Sequence, residues 1–172
     1  KLSVIRSSYT NEEIDGLFSW ADIIFAGGGN TAYMLEKWKE YNLYPRFMKA
    51  FSEDSAVIAG ISAGAICWFS SGYTDSAMFD GKENWDFYTI YPGFDFYDAF
   101  FCPHYNQEFR RGFDEAQKNA LVPGIALEDG TMMVYDRGQV SFYRADESRQ
   151  AYVFTDDGTR VRKACVFGSW AA

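Results

Sequence analysis

The sequence predicts an α/β protein built on a mostly parallel sheet covered by helices, with β-hairpins toward its C-terminal end. Short apolar runs alternate with helix-like patterns through the first part of the 172 residues, as in chains of βα units. From Thr131 onward, apolar pairs instead flank Asp136-Arg137-Gly138 and Asp156-Asp157-Gly158, which are turn signals between strands. A hydrophobic content of 48%, with 19% aromatic residues, is enough for one sizeable core, so residues 1–172 are expected to form a single domain.

The elements follow in chain order. Residues 2–5 (Leu2-Ser3-Val4-Ile5) read as a strand, and Asn11–Trp20 as a helix. A strand over 22–25 is followed by a helix over 31–41, which brings Leu35, Trp38 and Asn42 or Tyr41 near one face behind an N-cap at Asn30 or Thr31. Residues 56–61 form the next strand, and the small and apolar residues 65–69 look helical. The segment 72–97 is rich in glycine, aspartate and aromatics without a sustained period, so it reads as a long surface excursion. Strands over 99–102 and 124–127 precede the hairpins. The chain opens at Lys1 without an initiator methionine and passes at once into a strand-like run, so further sequence is expected upstream.

Charge narrows the partners. Sixteen Lys+Arg against twenty-four Asp+Glu leave a formal net charge of −8, with no basic stripe to track a phosphate backbone or an anionic lipid surface. Nucleic acid and membrane partners are not expected. No apolar run is long enough to span a bilayer and no signal-peptide pattern opens the chain, so a soluble cytoplasmic protein is expected. Cys67, Cys102 and Cys165 are odd in number and widely spaced, which suits reduced buried thiols rather than a disulfide framework or a zinc site. Neither a metal nor another cofactor is expected.

The chemistry is concentrated at strand ends. Gly60-Ile61-Ser62-Ala63-Gly64 is G-x-S-x-G between an apolar strand and a helix start. A sharp strand-to-helix turn holds such a serine in a strained conformation, and the flanking glycines remove Cβ atoms that would collide there. Ser62 is therefore the expected nucleophile, with a simple helix cap as the competing reading. The Ala63 amide could then stabilise an oxyanion. Gly27-Gly28-Gly29-Asn30 forms a second strand–loop–helix junction. It lacks the spacing and lysine of a phosphate loop, and fits better as the second wall of an oxyanion hole, or as a plain tight turn.

The chain has one histidine, His104, after the strand-like 99–102, so a serine–histidine mechanism must use it. Three carboxylates compete to orient it: Glu128 and Asp129 after the strand 124–127, and Asp75 on the excursion. Spacing does not choose among them.

Taken together, AGGGNT at 26–31, AGISAGAICWF at 59–69, PHY at 103–105 and ALEDG at 126–130 resemble the peptidase E family of serine peptidases, family S51, which includes cyanophycinase. The resemblance implies a three-layer sandwich similar to class I glutamine amidotransferases. It implies a triad of Ser62, His104 and Glu128, an oxyanion hole from Gly28 or Gly29 with Ala63, and a small peptide substrate, a dipeptide with N-terminal aspartate in peptidase E itself. Arg110, then Arg111, with Asn30 and Asp75, match the substrate-binding positions; the plain reading of Arg110-Arg111 is a solvated helix face. The family carries further elements before the strand of the glycine loop, where only about twenty residues stand here, so N-terminal elements of the fold are expected to be missing. A homodimer is a further expectation. Rival functions are an esterase or amidohydrolase on a non-peptide substrate, and a catalytically inactive binding homologue.

Overall fold

Thr10 opens the first helix, α1 (Asn11–Trp20), with a capping box. Its side chain accepts from the Glu13 N–H, and the Glu13 carboxylate accepts from the Thr10 N–H. Amides that the first turn cannot bond internally are satisfied in this way. The computed structural model describes residues 8–80, 88–155, 160–163 and 166–167. The strand expected over 2–5 and the turn expected at Asp156-Asp157-Gly158 lie outside the described residues, as does Cys165.

After α1 come β1 (Ile23–Ala26), α2 (Thr31–Glu40) and α3 (Tyr44–Ser52). The sequence pattern did not reveal α3. Its proline sits in the first turn, where a missing N–H is no loss, and Phe47 and Ala50 are its buried residues. β2 (Val57–Gly60) pairs parallel to β1, from Ile23↔Val57 to Ala26↔Gly60. One side of this pair packs on the helices, with Ile24, Ala26 and Ile58 joining Ile14, Leu35, Trp38 and Phe47. On the other side Ile23, Phe25 and Val57 are exposed.

Two expectations fail between residues 65 and 97. The helix α4 (Ala63–Ile66) stops early, because the carbonyls of Cys67 and Trp68 accept from the Phe94 and Phe96 amides at 2.7 and 2.9 Å instead of continuing the helix. The supposed excursion contains β3 (Phe69–Thr74), a 3₁₀ turn (Ser76–Asp80) and β4 (Thr89–Pro92), which pairs antiparallel with β3. Gly72 is required inside β3, since a Cβ there would lie 2.3 Å from Ile66 Cγ2.

The remainder comprises β5 (Tyr97–Cys102), α5 (Phe113–Gln117), β6 (Gly124–Leu127), β7 (Thr131–Asp136), β8 (Gln139–Arg144), β9 (Ala151–Phe154), β10 (Arg160–Lys163) and β11 (Val166–Phe167). The main sheet runs β10-β9-β6-β5-β3-β4. It is mixed: β3, β5 and β6 are parallel at its centre, while β4 and the β9–β10 pair are antiparallel outside them. The expected hairpin at Asp136-Arg137-Gly138 forms as β7–β8, with Arg137 and Gly138 both at positive φ as a tight two-residue turn requires.

Aromatic packing holds the sheet to its covering elements. Phe100, Phe113 and Phe154 are fully buried together, and each such side chain contributes about 1.5–3 kcal/mol by leaving water. Among the described residues no helix is long and apolar enough to cross a membrane.

Candidate active site

The turn after β2 is strained at one residue. Ser62 has φ 54° and ψ −121°, a region that costs a non-glycine residue about 1–3 kcal/mol. Its two glycines cannot be exchanged without moving backbone. A Cβ on Gly60 would sit 2.3 Å from the Gly64 carbonyl oxygen, and one on Gly64 would sit 2.3 Å from that of Ala26. Ser62 occupies the N-cap position of α4, but its side chain makes no capping hydrogen bond to that helix. Ala63, the first residue of α4, has an N–H that no carbonyl of that helix can take.

The glycine loop lies against this elbow. A Cβ on Gly28 would be 3.3 Å from Ser62 Cβ and 3.8 Å from Ser62 Oγ. Gly29 has φ 142°, in the half of the map that side chains avoid. The loop then feeds α2, whose N-cap is Asn30; its Oδ1 accepts from the Tyr33 N–H at 3.0 Å. Asn30 also lines a cleft of about 600 Å³ with Tyr33, Glu36, Thr74, Ser76 and Tyr91.

His104 and its carboxylate come from adjacent parallel strands. The β5–β6 register Cys102↔Ala126 carries the two following loops to the same end of the sheet. Tyr105 N–H donates to Leu127 O at 3.0 Å, holding the histidine loop to β6. His104 Nδ1 lies 2.5 Å from Asp129 Oδ1. The other oxygen of Asp129 accepts from Gln107 Nε2 at 3.0 Å and Asn106 Nδ2 at 3.2 Å. Burial raises the pKa of Asp129, but these hydrogen bonds from His104, Gln107 and Asn106 outweigh it and hold the carboxyl below its ordinary value. An ionised Asp129 puts the imidazole proton on Nδ1 and leaves Nε2 as the accepting nitrogen.

Glu128, the carboxylate that family resemblance selects, is elsewhere. Its Oε2 accepts from the Gln150 N–H at 2.9 Å, while its own N–H donates to Gln150 O. It extends the β6–β9 ladder and does not meet His104. Asp75 is also apart, 3.7 Å from Arg110 Nη2. Arg110 corrects the view of a solvated helix face: it is 3% exposed, donates to Tyr73 O at 2.8 Å and stacks on Tyr88 at 4.7 Å. Arg111 is exposed and 3.4 Å from Glu108, at a second cleft of about 390 Å³ with Tyr105, Asp114, Glu128 and Tyr152.

The structure thus brings Ser62 to Gly28 and His104 to Asp129, and among the described residues no hydrogen bond joins Ser62 to His104. Sequence reasoning missed Asn106 and Gln107, although two amides two and three positions after the only histidine are a legible signal for holding its carboxylate. Cys67 and Cys102 are buried, the Cys67 thiol donating to Ala63 O at 3.2 Å; burial pushes Cys67 up to about 12 and raises Cys102 as well, disfavouring the thiolate that a cysteine nucleophile needs. No group of three or more His, Cys, Asp or Glu is placed to hold a metal ion among the described residues.

The model of peptidase family S51 matches residues 2–143. The chain belongs to peptidase family S51. Within that family it is 38% identical over 122 residues to the uncharacterized peptidase YgaJ of Bacillus subtilis (strain 168), a match covering 69% of this chain and 49% of YgaJ. The chain therefore spans about half the length of that relative. A Listeria monocytogenes EGD-e protein described as a candidate peptidase E superposes with a TM-score of 0.64 at 18% identity, over 84% of this chain and 69% of that one. A peptidase from an acI-B1 Actinobacterium does so with a TM-score of 0.64 at 16% identity, over 90% and 62%. At such identities these two structures establish a shared fold and nothing further.

Proposed function

We propose that this S51 chain is a serine peptidase acting on short peptides, dipeptides among them, through an acyl-enzyme on Ser62. The observation that carries the reading is the strained Ser62 with the Gly28 backbone packed against it. Strain of this kind persists only where the surroundings enforce it; here the close packing at Gly60 and Gly64 fixes the turn, and the Gly28 and Ala63 amides beside Ser62 are potential oxyanion donors.

In this mechanism Ser62 Oγ attacks the scissile carbonyl carbon as its proton passes to His104 Nε2. The negative charge that develops on the carbonyl oxygen is met by the amides of Ala63 and of Gly28 or Gly29. Collapse of the tetrahedral species breaks the C–N bond, and the amine leaves with the proton from His104. Water then repeats the sequence on the ester, regenerating Ser62. Asp129, rather than Glu128, keeps the imidazole proton on Nδ1 and stabilises the imidazolium.

The test is purified Ser62→Ala protein against a dipeptide panel. Turnover should fall by orders of magnitude with the fold unchanged by circular dichroism, and a fluorophosphonate probe should label only the parent protein. Undiminished turnover would refute the mechanism. The acidic first residue implied by the family needs a cation; Arg110 is enclosed and already bonded to Tyr73 O, which leaves the exposed Arg111 as our candidate to supply one. A preference for Asp-Leu over Ala-Leu in kcat/KM that disappears in Arg111→Gln would bear this out.

A further inference from the structure

The glycine loop that carries Gly28 beside Ser62 has two anchors: the elbow, where Gly28 approaches Ser62 and Gly64 lies against the backbone of Ala26 and Gly27, and the entry into α2; side-chain space at Gly27 and Gly29 is open. The second of these anchors is a set of buried hydroxyls. Thr31 and Thr74 are fully buried and Ser76 is 6% exposed. Ser76 Oγ accepts from the Ala32 N–H at 3.1 Å, taking one of the amides that the first turn of α2 leaves open. Thr74 Oγ1 donates to Thr31 Oγ1 at 3.0 Å. That uses the single Thr74 proton, so the 2.9 Å contact between Ser76 Oγ and Thr74 Oγ1 is a hydrogen bond donated by Ser76. The Ser76 N–H also donates to Thr74 Oγ1, and Asn30 Nδ2 donates to the Ser76 carbonyl at 3.5 Å. One directed chain therefore runs from the Ala32 amide through Ser76 and Thr74 to Thr31. It ties the end of β3 to the start of α2.

We propose that Ser76, with Thr74, is a positioning residue for the oxyanion-binding glycine loop, setting the place of the Gly28 and Gly29 amides through the first turn of α2. The inference rests on Ser62 being the nucleophile. Ser76 touches no reacting atom in this scheme. Its hydroxyl acts by keeping the loop where charge develops, so losing it should act on the transition state more than on substrate binding. The pairing also explains why a polar serine and two threonines occupy buried positions where apolar residues would pack: each hydroxyl has a partner, and the partners belong to the two segments that must not drift apart.

The experiment compares Ser76→Ala, the near-isosteric Thr74→Val and the hydroxyl-retaining Thr74→Ser with the parent protein and with Ser62→Ala. Ser76→Ala and Thr74→Val should lower kcat by about tenfold or more, with KM within about twofold. Affinity for a peptide boronic acid, whose serine adduct places an oxygen in the oxyanion hole, should fall by the same factor. Thr74→Ser should retain near-parent kcat. Full kcat in folded Thr74→Val, or an equal loss in Thr74→Ser, would overturn the proposal while leaving Ser62 as nucleophile. Turnover surviving in Ser62→Ala would instead remove the reading beneath it.

Discussion

Asp129 is one residue from Glu128, and the two carboxylates have different work. Asp129 faces His104 and two amide side chains, whereas Glu128 closes a backbone ladder at Gln150. Asp129→Asn should therefore lower kcat by about 10³–10⁴, because an amide no longer fixes the proton on Nδ1. Glu128→Gln should leave kcat within roughly tenfold, its loss confined to the strand end. Steady-state kinetics on both variants decides between them. The same contacts set a pH dependence of stability. The folded pKa of Asp129 is depressed, so its contribution is present above the unfolded value and is lost as pH falls through the folded one. Denaturant titrations at acid pH should show the parent protein losing stability across that window, and Asp129→Asn losing less. Which of the neighbouring acids meets the histidine was not legible in the sequence. The choice is made by Gln150, twenty-two positions away, whose amide captures Glu128.

At the scale of elements, junctions are more constrained than the elements they join. Gly64 touches the backbone of Ala26 and Gly27, so Gly64→Ala should destabilise the protein by about 1–3 kcal/mol or more through forced separation of the elbow from the glycine loop. Thermal melting measures this, and Gly27→Ala, with open space around its Cβ, is the matched control. Elements bounded by strong local signals are legible in the residues themselves. Asn11–Trp20 has its capping box, and Gly124–Leu127 is a pure apolar run bounded by Pro123 and an acidic turn. Those that failed were decided by distant partners. Pro45 looks like a breaker but stands in the first turn of α3, and β3 is a strand only because β4 and β5 pair on either side of it.

For the whole molecule, a chain of −8 charge keeps one arginine almost wholly out of water. Arg110 joins the end of β3, through Tyr73 O and Asp75, to the segment that follows His104. Arg110→Met should cost about 3 kcal/mol by stranding these partners, a fall in Tm of roughly 6–12 °C for a domain of this size. A smaller shift would mean that the half-exposed Asp75 and the Tyr73 carbonyl find water instead. The α/β class, and the placement of the Ser62, glycine-loop and His104 motifs at strand ends, were legible because each motif follows its own apolar run. The hydroxyl chain behind the glycine loop was not, since Thr74 and Ser76 lie more than forty positions from Thr31 and Ala32. The two buried thiols have a further use. Cys67 follows the Ser62 elbow and Cys102 immediately precedes the Pro103-His104 loop. In a Cys165→Ser background, the rate at which a thiol reagent modifies each one becomes a stopwatch for local unfolding around its half of the proposed catalytic apparatus. Equal rates would mean that the Ser62 and His104 segments are released in a single cooperative opening, and unequal rates that one half breathes while the other stays closed.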